Sequence, residues 1–241
     1  MSGHSKWSNI KHKKEKSDAA KAKVFTKIGK EMAIAVRDGG PEPASNTKLR
    51  DLIAKAKSLN VPNDNIKRVI EKASGADSVN YEEITYEGYG PSGVAIIVET
   101  STDNRNRTAG NVRAAFNKYG GNLGQNGCVG FLFEEKGVIT IVDEDEELDE
   151  DKVMEDALEC GAEDIKCDEG EYTIYTAVED FDAVRDAVIS LGYTLATADL
   201  AKVPSTYVDL DNEEDIENME KMLDKFNEDD DVNAVYHNWN A

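Results

Sequence analysis

The chain has 241 residues, of which 49 are Asp or Glu and 28 are Lys or Arg, giving a formal net charge of −21. This length suits two or three domains of roughly 100 residues each, and no uncharged run approaches the roughly 20 apolar residues of a membrane-spanning helix. Residues 1–16 are basic but lack an apolar stretch and a cleavage site, so we expect no secretory signal and no membrane partner.

The charge is strongly segregated along the chain. Residues 1–72 contain 17 Lys and Arg against 8 Asp and Glu, a net charge of +9, whereas the remaining residues carry −30. A basic segment joined to an acidic body directs polyanions to one end of a molecule. We therefore predict a nucleic-acid partner.

Apolar residues at helical spacing predict three helices in the basic segment. The first begins at Ser17 or Asp18 and reaches about Arg37, with its lysines on the side opposite the apolar stripe, so that one face packs and the other stays cationic. Ser45 is the predicted cap of the second helix. The third begins at residue 63 or 64 after a tight turn that allows a helix-turn-helix arrangement.

A two-residue period then predicts strands. Residues 84–89 and 94–100 form a hairpin around a Gly-Pro-Ser-Gly turn, and a helix over 105–119 precedes a strand over 129–133. Further strands at 138–142, 172–177 and 195–203 alternate with helices at 153–158 and 181–191. This is a ferredoxin-like order if residues 165–167 pair as an edge strand.

The tail completes the predicted architecture. A strand at 206–210, a helix at 213–226 and a strand at 232–237 extend the sheet begun at residue 84. We predict an α+β fold, an N-terminal three-helix bundle followed by two ferredoxin-like α+β domains, one inserted in the other. The predicted boundaries are 1–79 for the bundle with its tail, 80–135 plus 205–241 for one α+β domain, and 136–204 for the inserted domain.

Basic residues of the first 72 positions are the main candidates for binding. Lys and Arg neutralise phosphates and release counterions, and Trp7 and His12 can stack on bases. A basic tail that only aids solubility is the alternative. The predicted nucleic-acid-binding residues, including two in the acidic body, are Lys6, Trp7, Lys11, His12, Lys13, Lys14, Lys16, Lys23, Lys27, Lys30, Arg37, Arg50, Lys57, Lys67, Arg68, Arg105 and Arg107.

Arg105 and Arg107 stand at a predicted helix N-terminus. That end of a helix carries a partial positive charge, so two arginines are unfavourable there unless an anion shares the site. The alternative is pairing with neighbouring carboxylates, and the sequence leaves both open.

Other chemistries find no support in the sequence. The glycine-rich residues 120–127 follow a helix and lack the Lys-Ser or Lys-Thr of a phosphate loop, and the acidic residues 143–151 lack calcium-loop spacing. The three cysteines form no Cys-x-x-Cys pair, which predicts reduced thiols. The three histidines are scattered, so we expect no metal site. We expect no cofactor and no enzymatic activity.

The motifs, taken together, resemble the YebC/PmpR family over nearly the whole length. The matching segments are the opening Gly-His-Ser-Lys-Trp-Ser-Asn-Ile-Lys-His-Lys at 3–13, Phe-Thr-Lys at 25–27, Pro-Asn-Asp-Asn-Ile at 62–66, Tyr-Glu-Gly-Tyr-Gly-Pro at 86–91, and residues 104–108, 120–124 and 235–238. The resemblance implies a three-domain α+β protein and a probable DNA-binding transcriptional regulator. Some relatives act instead on translation, as a mitochondrial activator or as factors that relieve ribosomes stalled at proline runs.

Two segments depart from the family pattern. Lys-Ala-Lys at 21–23 replaces the usual Arg-Gly-Lys, and residues 127–131 lack the commoner Ser, Trp and Met. We predict a cytoplasmic, non-enzymatic regulator of gene expression that binds nucleic acid. The alternative is a translation factor on ribosomal RNA, and the acidic body is also suited to the ribosome or basic proteins. A protein adaptor acting only through that body is a further hypothesis. A hydrolase using Asp and Glu clusters with magnesium is the remote third, since no metal-ligand spacing supports it.

Overall fold

The structure, a computed structural model, describes residues 18–75, 78–143, 148–168 and 170–240, with side chains from residue 22 onward. These residues divide into two compact units. One contains residues 18–130 with Leu210–His237, and the other contains Phe131–Asp209 with residues 238–240. Among the described helices, none is both long and apolar enough to cross a bilayer.

The three predicted helices form the N-terminal bundle. They are α1 (Asp18–Gly39), α2 (Thr47–Ser58) and α3 (Asn63–Ser74). All three contribute to one apolar core, in which Met32, Leu49 and Ala56 are fully buried. The periodic stripes therefore predicted both the helices and the faces that pack.

The cap of α2 differs from the prediction by one residue. The Asn46 side chain, rather than that of Ser45, accepts the Leu49 N–H at 3.0 Å. Its amide group also donates to the backbone oxygens of Ala35 and Gly40, so this buried residue joins the end of α1 to the start of α2. Ser45 donates instead to the Glu42 backbone oxygen.

The turn between α2 and α3 is fixed by backbone bonds. The N–H groups of Asn60 and Val61 donate to the oxygens of Lys57 and Ala56, and Asn60 adopts a φ of 59°. This is a Schellman ending, in which Asn tolerates the left-handed conformation better than most residues. These bonds fix the short, tight turn that joins the two helices.

The first sheet has the strand order β3-β1-β2-β8, and its pairings are all antiparallel. Helix α4 connects β2 to β3, and helix α7 directly precedes β8. The predicted hairpin is confirmed, with Ile84 opposite Thr100, and the final strand extends the sheet as expected. The elements are β1 (Glu82–Tyr89), β2 (Ala95–Thr102), α4 (Arg105–Lys118), β3 (Asn122–Leu123), α7 (Glu213–Glu228) and β8 (Val232–His237).

The strand predicted at 129–133 is wrong. Residues Gly130–Leu132 form a short 3-10 helix, and the next strand begins only at Phe133. The Glu87 carboxylate accepts the N–H groups of Val129 and Gly130 at 2.8 and 2.7 Å, and that of Gly127 at 2.8 Å. Because a side chain occupies these donors, the segment cannot use them in a β-ladder.

The second sheet has the order β5-β6-β4-β7, which is the ferredoxin-like arrangement, and its pairings are antiparallel. The predicted edge pairing is confirmed. The strand predicted at 206–210 is wrong, since Val208 makes only an isolated bridge to Trp239. The elements are β4 (Phe133–Val142), α5 (Glu150–Glu159), β5 (Asp164–Asp168), β6 (Glu171–Thr176), α6 (Phe181–Ser190) and β7 (Leu195–Pro204).

The α+β fold class is confirmed, with N-terminal helices followed by two four-stranded antiparallel sheets. The two sheets differ in connectivity. The second follows the strand, helix, strand, strand, helix, strand order, whereas the first opens with a hairpin. The three domain boundaries stay a prediction.

Candidate nucleic-acid interface

The side of α1 that carries its lysines contacts the end of α7 and the residues that follow it. The ammonium groups of Lys23, Lys27 and Lys30 donate to the backbone oxygens of residues 228, 227 and 230, at 3.4, 3.1 and 2.8 Å. The last carbonyls of a helix lack intrahelical partners and carry partial negative charge, so cations stabilise them. Lys27 and Lys30 are partly buried by these contacts, so the cationic side of α1 is only partly open to solvent.

A buried carboxylate organises the same contact. Asp231 lies just before β8, and its side chain is only 5% exposed. Its carboxylate is 2.6 Å from the Lys30 ammonium and 2.6 Å from the Arg107 guanidinium, and it accepts the Thr108 hydroxyl at 2.8 Å. One carboxylate thus joins the bundle helix α1 to the start of α4.

The ionised form of Asp231 is favoured despite its burial. Burial alone would raise its pKa, but hydrogen bonds from Lys30, Arg107 and Thr108 outweigh that effect and lower the pKa to about 2. Lys30 is itself only 12% exposed, so solvent screens this pair much less than a surface pair.

Arg107 pairs with carboxylates, as the structural alternative predicted. Besides Asp231, its guanidinium contacts Asp103 at 2.8 Å, and both hydrogen bonds raise its pKa. Asn104 caps α4 by accepting the Arg107 N–H at 3.1 Å. Arg105 is exposed to solvent.

Two further bundle cations contact the sheet at the surface. Arg37 donates to the Tyr81 backbone oxygen at 2.5 Å and to the Asn80 side chain at 3.0 Å. Lys48 pairs with Glu83 at 2.9 Å, and both side chains are about half exposed. These contacts anchor the edges of the bundle beside β1.

The exposed sides of α2 and α3 carry a different group of cations. We call this group the α2–α3 basic surface, which consists of Arg50, Lys57, Lys67, Arg68 and Lys72. All five are exposed, and Arg50 has Asp51 at 3.9 Å. The other four make no ion pair with any described residue. Their charges are therefore available to a ligand.

A surface pocket of about 450 Å³ lies beside Asp231. It is lined by Lys30 and Arg107 but also by four exposed or partly exposed acidic residues, namely Asp103, Glu228, Asp229 and Asp230. Because its two cations are already paired, the pocket is poorly suited to a phosphate. Within the described ranges no group of His, Cys, Asp and Glu is placed to hold a metal ion.

The remaining predicted binders belong to the tail. Lys6, Trp7, Lys11, His12, Lys13, Lys14 and Lys16 lie outside the described residues. Sequence reasoning missed Asp231 and Glu87, both of which hold other segments in place. Asp231 is one of three consecutive aspartates, and nothing in that run distinguishes the buried carboxylate from its exposed neighbours.

The fold and its charges define a class: multidomain α+β proteins in which a basic helical bundle precedes two antiparallel sheets. The chain belongs to the TACO1/YebC family. The model of the family's N-terminal domain matches residues 5–76, and the model of its second and third domains matches residues 81–239. The resemblance read from the motifs is thereby confirmed.

Relatives of known name and structure agree with this assignment. Proteins named probable transcriptional regulatory protein from Agathobacter rectalis and Acetivibrio thermocellus are 57% and 54% identical over 240 residues, covering 99% of each chain. The crystal structure of a conserved hypothetical protein from Aquifex aeolicus has a TM-score of 0.83 and 41% identity, covering 92% of this chain and 91% of that one. These names support a regulatory role at the level of the family.

Proposed function

We propose that the protein is a non-enzymatic regulator of gene expression that binds nucleic acid through the α2–α3 basic surface together with its basic N-terminal residues. The observation that carries this proposal is the exposure of four cations, Lys57, Lys67, Arg68 and Lys72, that make no ion pair with a described residue, on a chain of net charge −21. In such an acidic protein, exposed cations that have no carboxylate partner among the described residues point to an anionic ligand supplied from outside.

Electrostatics also restricts where the ligand lies. Each Lys or Arg that neutralises a phosphate releases condensed counterions, which favours binding at low salt. The acidic sheets repel the same polymer, so contact is confined to the bundle. Phosphate contacts position a protein without reading bases, and the proposal accordingly assigns no recognised sequence.

Duplex DNA in the cytoplasm is the proposed ligand. The observation favouring it is the tight turn between α2 and α3, since helix-turn-helix units place their second helix in the major groove. Helix α3 carries Lys67, Arg68 and Lys72, all of them exposed. Ribosomal RNA and association of the acidic body with ribosomes or basic proteins are the competing outcomes of the test.

The test is the salt dependence of binding for the full chain. Replacing Lys57, Lys67 and Arg68 with Gln should weaken binding to a DNA duplex and reduce the slope of log affinity against log salt by about 3. The matched control replaces Lys118, Lys221 and Lys225 of α4 and α7, which changes the net charge equally and should leave the slope unchanged.

Parallel binding measurements with DNA, with ribosomal RNA and with ribosomes identify the polymer. Binding of a DNA duplex in preference to ribosomal RNA stems, without sedimentation alongside ribosomes, supports the proposal. Preference for ribosomal RNA with co-sedimentation would transfer the role to translation. Equal slopes for the two triple variants would reject the α2–α3 basic surface as the interface.

A further inference from the structure

Cations of the bundle make polar contacts with the first sheet and with the α7–β8 connection. These cations are Lys23, Lys27 and Lys30 of α1, together with Arg37 and Lys48. Their partners are backbone oxygens, carboxylates and the Asn80 side-chain oxygen. The Lys30 ammonium also lies 5.8 Å from the centre of the Tyr81 ring. The bundle is thus held by the kind of group that also binds nucleic-acid phosphates.

The bundle does not need the sheet to complete its core. Its apolar cluster is built only from residues of α1, α2, α3 and the segment between the last two helices. Ile34 of α1 is buried outside that cluster, with 1% of its surface exposed, and lies one turn beyond Lys30. Helix α1 packs against β2 and β8. The bundle can therefore keep its own fold while its contact with the sheet loosens.

From this arrangement we infer that binding of a polyanion to the bundle and docking of α1 on the α7–β8 connection compete for the same lysines. This inference rests on the proposed function and describes its regulation. Lys23 is exposed and held at 3.4 Å, so a phosphate can recruit it first. Lys27 follows, whereas Lys30 stays with Asp231 because that pair is buried.

Competition of this kind is reciprocal. If polyanion binding weakens docking by a given factor, docking must weaken polyanion binding by the same factor. A change that loosens the docked contact should therefore raise the apparent affinity for the polyanion. Nucleic acid would then bind more tightly to the form in which the bundle is released from the sheet. The acidic residues and carbonyl oxygens of the α7–β8 connection would compete with phosphates for the α1 lysines. The docked form is the resting state in this scheme.

The first experiment uses the unaltered full chain and amide hydrogen exchange. The Asp231 N–H donates to the Asp229 carboxylate, and the Ser101 N–H donates to the Asp231 backbone oxygen, so these amides report on the order of the α7–β8 connection that α1 contacts. Adding a 20-bp DNA duplex, or polyuridylate as an RNA probe, should reduce protection across 227–232. Protection of β6 in the other unit should not change.

A variant tests whether loosening the contact of α1 raises the affinity for DNA. Asp231→Asn should raise the affinity for the same duplex by about 5-fold, the low end of ordinary coupling. Glu220→Gln removes one negative charge from an exposed position of α7 and is the matched control, which should change affinity much less.

The outcomes separate the two proposals. Binding that leaves the protection of 227–232 unchanged or increased, or equal affinities for the two variants, would overturn the competition but not the proposed function. Absence of binding to both polymers at low salt would overturn both. The exchange arm needs no substitution, so it decides the matter even if Asp231→Asn fails to fold.

Discussion

The lysine side of α1 and the α2–α3 basic surface look alike in sequence but differ in what surrounds them. On α1, Lys27 and Lys30 are partly buried and bonded to the end of α7. On α3, Lys67 and Arg68 are exposed and make no ion pair with described residues. In the docked form the first group supports the fold, whereas the second is available to a ligand.

The difference shows that a basic stripe opposite an apolar stripe has two possible uses. An amphipathic helix predicts which side enters its own bundle, but the other side can still meet a second domain. Unsatisfied carbonyls at the end of α7 and the carboxylate of Asp231 are attractive partners for lysine, and they lie about 200 residues away along the chain. Charge alone therefore overestimates the area left for nucleic acid.

The largest expected effect is on stability. Asp231→Ala leaves Lys30 buried without its carboxylate, and we expect the free energy of unfolding to fall by about 3 kcal/mol, as for other broken buried pairs. Urea denaturation measures it. The neighbouring Asp230→Ala, at an exposed position, should change stability by less than about 0.5 kcal/mol. Similar losses for both variants would contradict a special role for the buried carboxylate.

Acid should remove the same contribution. The folded pKa of Asp231 is about 2, below the ordinary value of 3.8, so its stabilisation is present above pH 4 and is lost as the pH falls toward 2. The shift corresponds to about 2 kcal/mol. Urea denaturation between pH 7 and pH 2.5 measures the free energy of unfolding of the native chain and of Asp231→Asn. The difference between the two should shrink as the pH falls. A difference that stays constant would exclude the carboxylate as the titrating group.

The smallest expected effect concerns an exposed pair of the same bundle. Lys48 and Glu83 are about half exposed at 2.9 Å, so solvent screens their attraction. A double-mutant cycle with Lys48→Met and Glu83→Gln should give a coupling near 0.5 kcal/mol that declines with added salt. A coupling as large as the loss at Asp231 would show that exposure does not separate weak contacts from strong ones in this bundle.

Local patterns predicted much of the fold. The three bundle helices, the hairpin around the Gly-Pro-Ser-Gly turn and the ferredoxin-like order of the second sheet are all confirmed. The errors arose where a side chain from elsewhere intervenes. Glu87 takes the N–H groups of Val129 and Gly130 that a strand would need, and the cap of α2 moved to Asn46 because that residue also bonds the end of α1.

Residue order, period and charge specified the family, the helices and strands, and an excess of cations in the first 72 residues, since these depend on neighbours a few positions apart. Only the packing of the folded chain decides which of those cations pair with carboxylates and which stay exposed. Lys30, Arg107 and Asp231 come from three distant segments, and their pairing depends on burial and geometry that exist once the chain has folded. Long-range contacts between charges leave no periodic signal in a sequence.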